Sequence, residues 1–285
     1  MKPQGIFKIL GVIMYPILFE IFGRPVASYG LFMILGAIAA WFLVRLLGGK
    51  KDMHMPMAFL ICICGGIVGT ILLRPITRIP EIILNWETFN TWPIEMIVSY
   101  LFGEIVFYGA LIGGAIALII YCKGYKIPIM PFADLFAPGV AIAHGFGRIG
   151  CFLGGCCYGM QVNKSHPFAV IYPDYSIGAP PGVPLLATQL IEAACLFIIA
   201  AALSIIYKKT AGRGFTVCLY GIMYSIFRFI LEFYRGDPIR GIYGPFSTSQ
   251  YISIGIFIIS LTLLCILFKS TRQKSATLDN SDNIE

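Results

Sequence analysis

Charge is what this sequence has least of. Asp, Glu, Lys and Arg make up 12% of its 285 residues, about half of the roughly 25% usual in a soluble domain. With 58% hydrophobic residues and a mean hydropathy of +0.83, that shortage excludes an ordinary soluble fold. A basic stripe with interleaved aromatics is also missing. The net charge of +7 therefore does not point to nucleic acid. Its basic residues stand between apolar runs, where Lys and Arg set membrane topology. No shift in composition marks a second domain. Nor is there a disulfide framework: Cys62, Cys64, Cys122, Cys195, Cys218 and Cys265 fall within or beside apolar runs, where Cys usually behaves as a small hydrophobe. No small-residue cleavage site precedes Gly23, and Glu20 interrupts the first apolar run. Residues 1–24 are therefore read as a retained segment at the membrane interface, not as a signal peptide.

What is present is a succession of apolar runs. A membrane span needs about 20 such residues. Runs at about 25–48, 56–76, 104–122, 131–154, 183–207, 214–235 and 246–269 qualify. They predict an all-α polytopic integral membrane protein with about seven transmembrane helices. Two longer loops are expected at about 77–103 and 155–182, and a disordered cytoplasmic tail at 270–285. Lys and Arg favour one set of loops, most clearly in the tight Lys208-Lys209 connection, whereas the 77–103 loop carries Glu81, Glu87 and Glu95. The positive-inside rule then gives an N-outside, C-inside orientation.

Under that topology, independent spans deliver polar residues to one depth. Arg148 lies in the outer half of span four, and Arg228 with Glu232 in the outer half of span six. Tyr29, Tyr108, Gln189 and Glu192 fall near the outer ends of spans one, three and five. An ionisable residue within a span is costly and is read as functional by default. Tyr220, Tyr224, Arg228 and Glu232 recur every four residues and share a helix face; His144, Arg148 and Cys151 share another. Two guanidiniums beside one carboxylate predict a surplus of positive charge, suited to an anion such as a phospholipid phosphate. The structural readings stay open beside this one. Arg228 and Glu232 also fit an i,i+4 ion pair, and Tyr29, Tyr108, Tyr220 and Tyr224 also fit packing or an interfacial belt.

The segment from His144 to Gly159 holds six glycines in sixteen residues. It is expected to depart from an ordinary helix and to line a cavity, because irregular backbone at membrane depth is tolerated only there or inside protein. Its core, Gly147-Arg-Ile-Gly-Cys-Phe-Leu-Gly-Gly-Cys-Cys-Tyr-Gly159, resembles the signature of prolipoprotein diacylglyceryl transferases. Ser28-Tyr29-Gly30, Phe107-Tyr-Gly-Ala-Leu-Ile-Gly113, Asp134-Leu-Phe-Ala-Pro138, Thr188-Gln-Leu-Ile-Glu192 and Phe227-Arg-Phe-Ile-Leu-Glu-Phe-Tyr-Arg235 are similar to further family segments, in the same order. The resemblance covers about residues 25–269.

This resemblance implies a bacterial plasma-membrane enzyme. It would move the diacylglyceryl group of phosphatidylglycerol onto the lipobox Cys thiol of a prolipoprotein, forming a thioether and releasing glycerol phosphate. It implies that Arg148 contacts the headgroup, with Arg228 and Glu232 as a second polar clamp. Tyr29 matches an essential-type position of the motif, and Tyr108, Cys151 and Cys156, which stand at motif positions in this sequence, are its further catalytic candidates. Gly159, Gln189, Glu192, Arg235 and His144 join Arg148 in binding substrate. The partners are phosphatidylglycerol, the lipobox peptide and membrane lipid, and the scheme calls for no metal or cofactor.

The sequence also departs from the family pattern. Tyr108 stands where the family has His, Cys151 where it has Asn, Cys156 where it has Glu, and Leu186-Ala187 where it has His-Pro. Tyr29, Tyr108 and His144 remain candidate bases. Cys151, Cys156 and Cys157 are open to four readings: packing, a nucleophilic thiolate beside Arg, a disulfide, or Zn²⁺ ligands at an unusual spacing. Two further functions stay in view: altered, thiol-dependent chemistry on the same scaffold, or a non-enzymatic lipid-binding or transport protein.

Overall fold

The computed structural model describes residues 16–21, 24–49, 53–102, 107–237 and 241–282. Its helices are α1 (Ser28–Gly48), α2 (His54–Leu84), α3 (Trp86–Phe89), α4 (Ile94–Phe102), α5 (Phe107–Gly124), α6 (Ile129–Gly154), α7 (Thr188–Thr210), α8 (Phe215–Leu231) and α9 (Thr248–Asp282). Six of them, α1, α2, α6, α7, α8 and α9, are long and apolar enough to cross a membrane, and α5 is a shorter apolar helix. The sheets are small antiparallel pairs: β1 (Ile17–Ile21) with β2 (Arg24–Ala27), β3 (Ala169–Ile171) with β4 (Pro184–Leu186), and β5 (Ile242–Tyr243) with β6 (Phe246–Ser247). The chain is thus an all-α polytopic membrane protein, as its apolar runs predict.

Two local expectations change. The loop expected at 77–103 is largely helical, because α2 continues through Pro75 and Pro80 to Leu84 and is followed by α3 and α4. Aromatic contacts hold this turn: Trp92 lies 5.4 Å from both Phe89 and Tyr100, and the Arg78 guanidinium stands 4.8 Å over the Tyr100 ring. At the other end, α9 runs on to Asp282. No proline interrupts it, so nothing in its sequence enforces an earlier stop. Of the interfacial segment expected at 1–24, residues 1–15 and 22–23 lie outside the described residues, and Ile17–Ile21 form β1.

The chain divides into two compact units, residues 48–132 and residues 1–47 with 133–285. In the first, α2 packs along α5 through Gly65, Gly69, Gly109 and Gly113. A Cβ at Gly109 would stand 2.6 Å from the Gly69 carbonyl oxygen, so only glycine permits this approach. Apolar surface gains little from burial against lipid-like neighbours, and close backbone packing between small residues takes over that role.

The second unit is built around α6, the most buried of the apolar helices. Here the second expectation is corrected. The glycine-rich stretch from His144 stays regular α-helix as far as Gly154, and only residues 155–159 leave it. The glycines serve packing. A Cβ on Gly36 of α1 would meet the Ala143 carbonyl oxygen of α6 at 3.0 Å; one on Gly150 would meet Tyr29 and Phe32 of α1 at 3.1–3.3 Å; one on Gly145 would meet the Phe197 ring of α7 at 2.6 Å. Both α1 and α7 can therefore pack closely against α6.

Asp134 fastens the opposite end of this unit. It is fully buried on α6, and its carboxylate accepts hydrogen bonds from the backbone N–H groups of Gly214 (2.7 Å) and Val217 (3.0 Å), at the start of α8. A helix N-terminus leaves such donors without partners and favours negative charge. Asp134→Ala is expected to cost about 1–3 kcal/mol, read as a lowered melting temperature by circular dichroism in detergent. An unchanged melt would remove Asp134 from this role.

Candidate active site

The polar centre of the second unit is organised by Glu192. Its side chain hangs from the first turns of α7 and is 3% exposed. Arg148 Nε approaches Glu192 Oε1 at 3.2 Å, and Tyr224 Oη donates to the same oxygen at 2.9 Å. Arg228 Nη1 stands 4.0 Å from Glu192 Oε2, while Arg228 Nη2 pairs with Glu232 at 2.7 Å and donates to Ser249 Oγ at 3.1 Å. His144 lies edge-on to Tyr224, with ring centroids 5.0 Å apart, and Tyr220 stacks on Tyr224. The His144 Nε2 accepts a hydrogen bond from Arg148 Nε at 3.4 Å. Helices α6, α7, α8 and α9 each contribute, so the centre exists only in the folded chain.

The expected surplus of positive charge is not found. Arg148 and Arg228 face two carboxylates, Glu192 and Glu232, and the four charges balance. The i,i+4 pattern exposes Glu232 as a partner of Arg228, but it carries no sign that Glu192 arrives from another helix. Buried charges are costly unless paired, which is the physical reason for the balance.

The pairing leaves donors over. Arg148 engages its neighbours through Nε, and among the described residues its two terminal Nη groups make no hydrogen bond. Arg228 Nη1 is buried with no hydrogen-bond partner among the described residues. Arg148 is also the more accessible of the two, with 13% of its side chain exposed against 5% for Arg228.

Beyond Arg148, α6 ends in a second cluster. The Sγ atoms of Cys151, Cys156 and Cys157 all lie within 4.8 Å of one another, and the three are free thiols. The turn that gathers them needs two left-handed residues, Gly155 (φ +75°) and Cys157 (φ +59°); the latter is uncommon for a residue with a Cβ. Hydrogen bonds hold it there: Cys156 N to the Cys151 carbonyl (3.1 Å), Gln189 Nε2 to the Cys156 carbonyl (2.6 Å) and Thr188 Oγ1 to the Cys157 carbonyl (3.2 Å). The Cys156 thiol donates to the Cys151 carbonyl at 3.7 Å, and Arg148 and Arg235 lie within electrostatic reach of Cys157, where their charge favours a thiolate. Tyr29, in the first turn of α1, packs on Gly150 within electrostatic reach of Arg148 and Cys151.

Several expected site residues turn out to frame these clusters. Gln189, 1% exposed, anchors the Cys156 carbonyl and also donates to the Tyr172 hydroxyl at 3.0 Å. Gly159 is a backbone crossing: its N–H donates to the Leu186 carbonyl at 2.9 Å, and a Cβ there would meet that oxygen at 2.6 Å. Arg235 is held by both oxygens of Asp237, at 2.8 and 2.6 Å. Tyr108 belongs to the other unit, on the first turn of α5. The sequence reading did not name Asp237, Tyr172 or Ser249. Asp237 was legible two residues from Arg235. Ser249 and Tyr172 are brought in by tertiary packing and leave no sequence signal.

With this geometry in view, similarity to known proteins is informative. A family model described as prolipoprotein diacylglyceryl transferase matches residues 16–266. The phosphatidylglycerol–prolipoprotein diacylglyceryl transferase of Clostridium tetani (strain Massachusetts / E88) is 39% identical over 256 residues, covering 87% of this chain and 98% of the relative. The Clostridium perfringens (strain 13 / Type A) protein named phosphatidylglycerol–prolipoprotein diacylglyceryl transferase 2 is 39% identical over 245 residues, covering 85% and 91%. A transferase of the same name from Dehalococcoides mccartyi (strain ATCC BAA-2266 / KCTC 15142 / 195) is 29% identical over 266 residues, covering 92% and 96%. The match spans both the four-helix charge centre and the thiol turn, and the chain belongs to the prolipoprotein diacylglyceryl transferase family.

Proposed function

We propose that the chain transfers the diacylglyceryl group of phosphatidylglycerol to the thiol of a prolipoprotein lipobox Cys, in the bacterial plasma membrane, with seven spans and an N-outside, C-inside topology. The observation that carries this reading is the set of spare guanidinium donors on Arg148 and Arg228 in an otherwise balanced centre. Guanidinium forks suit phosphate oxygens. A phosphodiester brings one negative charge to those donors. As the bond between the glyceryl carbon and the phosphate oxygen breaks, charge on the leaving glycerol phosphate grows. Preorganised donors in a water-poor site stabilise such charge most where it develops.

Glu192 and Glu232 keep the two arginines desolvated and in place before the lipid arrives. Tyr224, through its bond to Glu192, fixes that carboxylate against Arg148. Tyr29, packed on Gly150, stands within electrostatic reach of both Arg148 and Cys151.

The test uses the full chain, purified in detergent, with phosphatidylglycerol and a lipobox peptide. Mass spectrometry of the peptide is expected to show the addition of one diacylglyceryl group. A peptide left unmodified, with the Clostridium tetani relative active in the same assay, would overturn the proposal.

A further inference from the structure

The three thiols call for an explanation that phosphate binding does not supply. They converge from a helix end and an adjoining turn, with every Sγ within 4.8 Å of the others. Zinc–thiolate bonds of about 2.3 Å in a tetrahedral site place sulfurs about 3.8 Å apart, so modest side-chain rotation would bring all three onto one ion. The turn that brings adjacent Cys156 and Cys157 to Cys151 has positive φ at Gly155 and Cys157. A disulfide would use two of the three sulfurs and leave the third over.

We propose that Cys151, Cys156 and Cys157 form a three-thiolate site for a thiophilic divalent cation of the zinc class, whose open fourth position takes the thiol of the acceptor cysteine. The role of the fourth position rests on the transferase reading above; the site itself does not. Three protein ligands with one open position mark catalytic zinc sites, whereas structural sites are closed by four. Cys151 is buried, but Cys156 and Cys157 are only partly so, which leaves an approach to the ion. Three thiolates and a divalent ion carry one net negative charge, complementary to Arg148 and Arg235, both within electrostatic reach of Cys157.

The site would meet a specific chemical need. A thiol must lose its proton to attack carbon. The imidazole of the charge centre already accepts from Arg148 and lies 3.9 Å from Glu192, so its lone pair is engaged. A thiol that coordinates zinc is deprotonated outright. In the proposed step the acceptor thiol binds the ion and releases its proton to water. Its sulfur then forms a bond to the glyceryl carbon. The bond from that carbon to the phosphate oxygen breaks, and glycerol phosphate leaves with the electron pair, facing Arg148 and Arg228.

The experiment uses the full-length protein in detergent, reduced and stripped with chelator, then loaded with Zn²⁺, or with Cd²⁺ as an optical probe. One ion per chain is expected after gel filtration, with a cadmium–thiolate absorption band. Cys157→Ser is expected to weaken binding at least tenfold, and the Cys151→Ser, Cys156→Ser, Cys157→Ser triple variant to abolish it. Should that variant not fold, protection of three thiols from maleimide in the Zn²⁺-loaded wild type, counted by mass spectrometry, reads the same site. Retention of metal by a folded triple variant would overturn the site. So would a metal-free wild type whose three thiols label freely, or two of whose thiols are oxidised to a disulfide. Equal rates of peptide modification by stripped and loaded protein would remove the catalytic role while leaving the transferase reading intact. Bound metal with no peptide modified would overturn the transferase reading and the fourth-position role, and the three-thiolate site would stand.

Discussion

Arg148→Ala is expected to lower diacylglyceryl transfer by on the order of 10²–10³-fold, the loss seen when one preorganised donor is removed from a developing anion. The size follows from what Arg148 alone supplies. It is the more accessible guanidinium, and both of its terminal Nη groups lack a hydrogen bond among the described residues. Arg148→Lys separates charge from geometry. A lysine keeps the positive charge beside Glu192 but loses the planar fork, so it is expected to fold like the wild type and still transfer poorly. The check is the rate of peptide modification measured beside the melting temperature. Full activity in Arg148→Lys would mean that point charge suffices, and near-normal activity in Arg148→Ala would take this residue out of the mechanism.

Glu192→Ala is expected to have the largest effect on stability, a loss of about 3–5 kcal/mol, because it leaves buried positive charge without its counter-ion. Glu192 holds Arg148, faces Arg228 and accepts from Tyr224, all from a side chain that is 3% exposed. Adding Arg148→Ala removes one of the stranded charges. The double variant is therefore expected to recover part of the loss, with a coupling on the order of 0.5–3 kcal/mol. Unfolding of the three variants in one detergent measures it. Strict additivity would show that Glu192 and Arg148 do not share a pair in solution. The same logic separates the roles of the two carboxylates: Glu232 pairs with Arg228 within one helical turn, whereas Glu192 joins α6, α7 and α8.

The thiol turn behaves differently from the charge centre in what it asks of its surroundings. Its framing residues, Gln189 and Thr188, act through backbone carbonyls. Their replacement should loosen the turn without removing a thiol. Gly159 and Arg235 lie in the same framework, the first through a backbone crossing and the second through Asp237. These positions were legible as polar or glycine residues in a motif. Whether each touches substrate or holds the turn is decided by which atoms face which neighbours.

Composition and periodicity alone determined that this chain lives in a membrane, that its fold is all-α, and that Arg148, Arg228 and Glu232 are the costly residues to explain. Long apolar runs have no alternative solution in lipid, because a helix satisfies its own backbone, so local sequence suffices there. Tertiary structure alone decided three things. It made the glycines of α6 a packing face instead of a break, since whether glycine interrupts a helix depends on the neighbours that close on it, Gly36, Phe197 and Tyr29 among their contacts. It brought Glu192 and Ser249 from other helices to balance and bind the arginines. And it turned three cysteines of unusual spacing into one cluster through two left-handed residues. In each case the deciding contact joins residues far apart in the chain, and a distance through space is set by packing, which one-dimensional patterns do not encode.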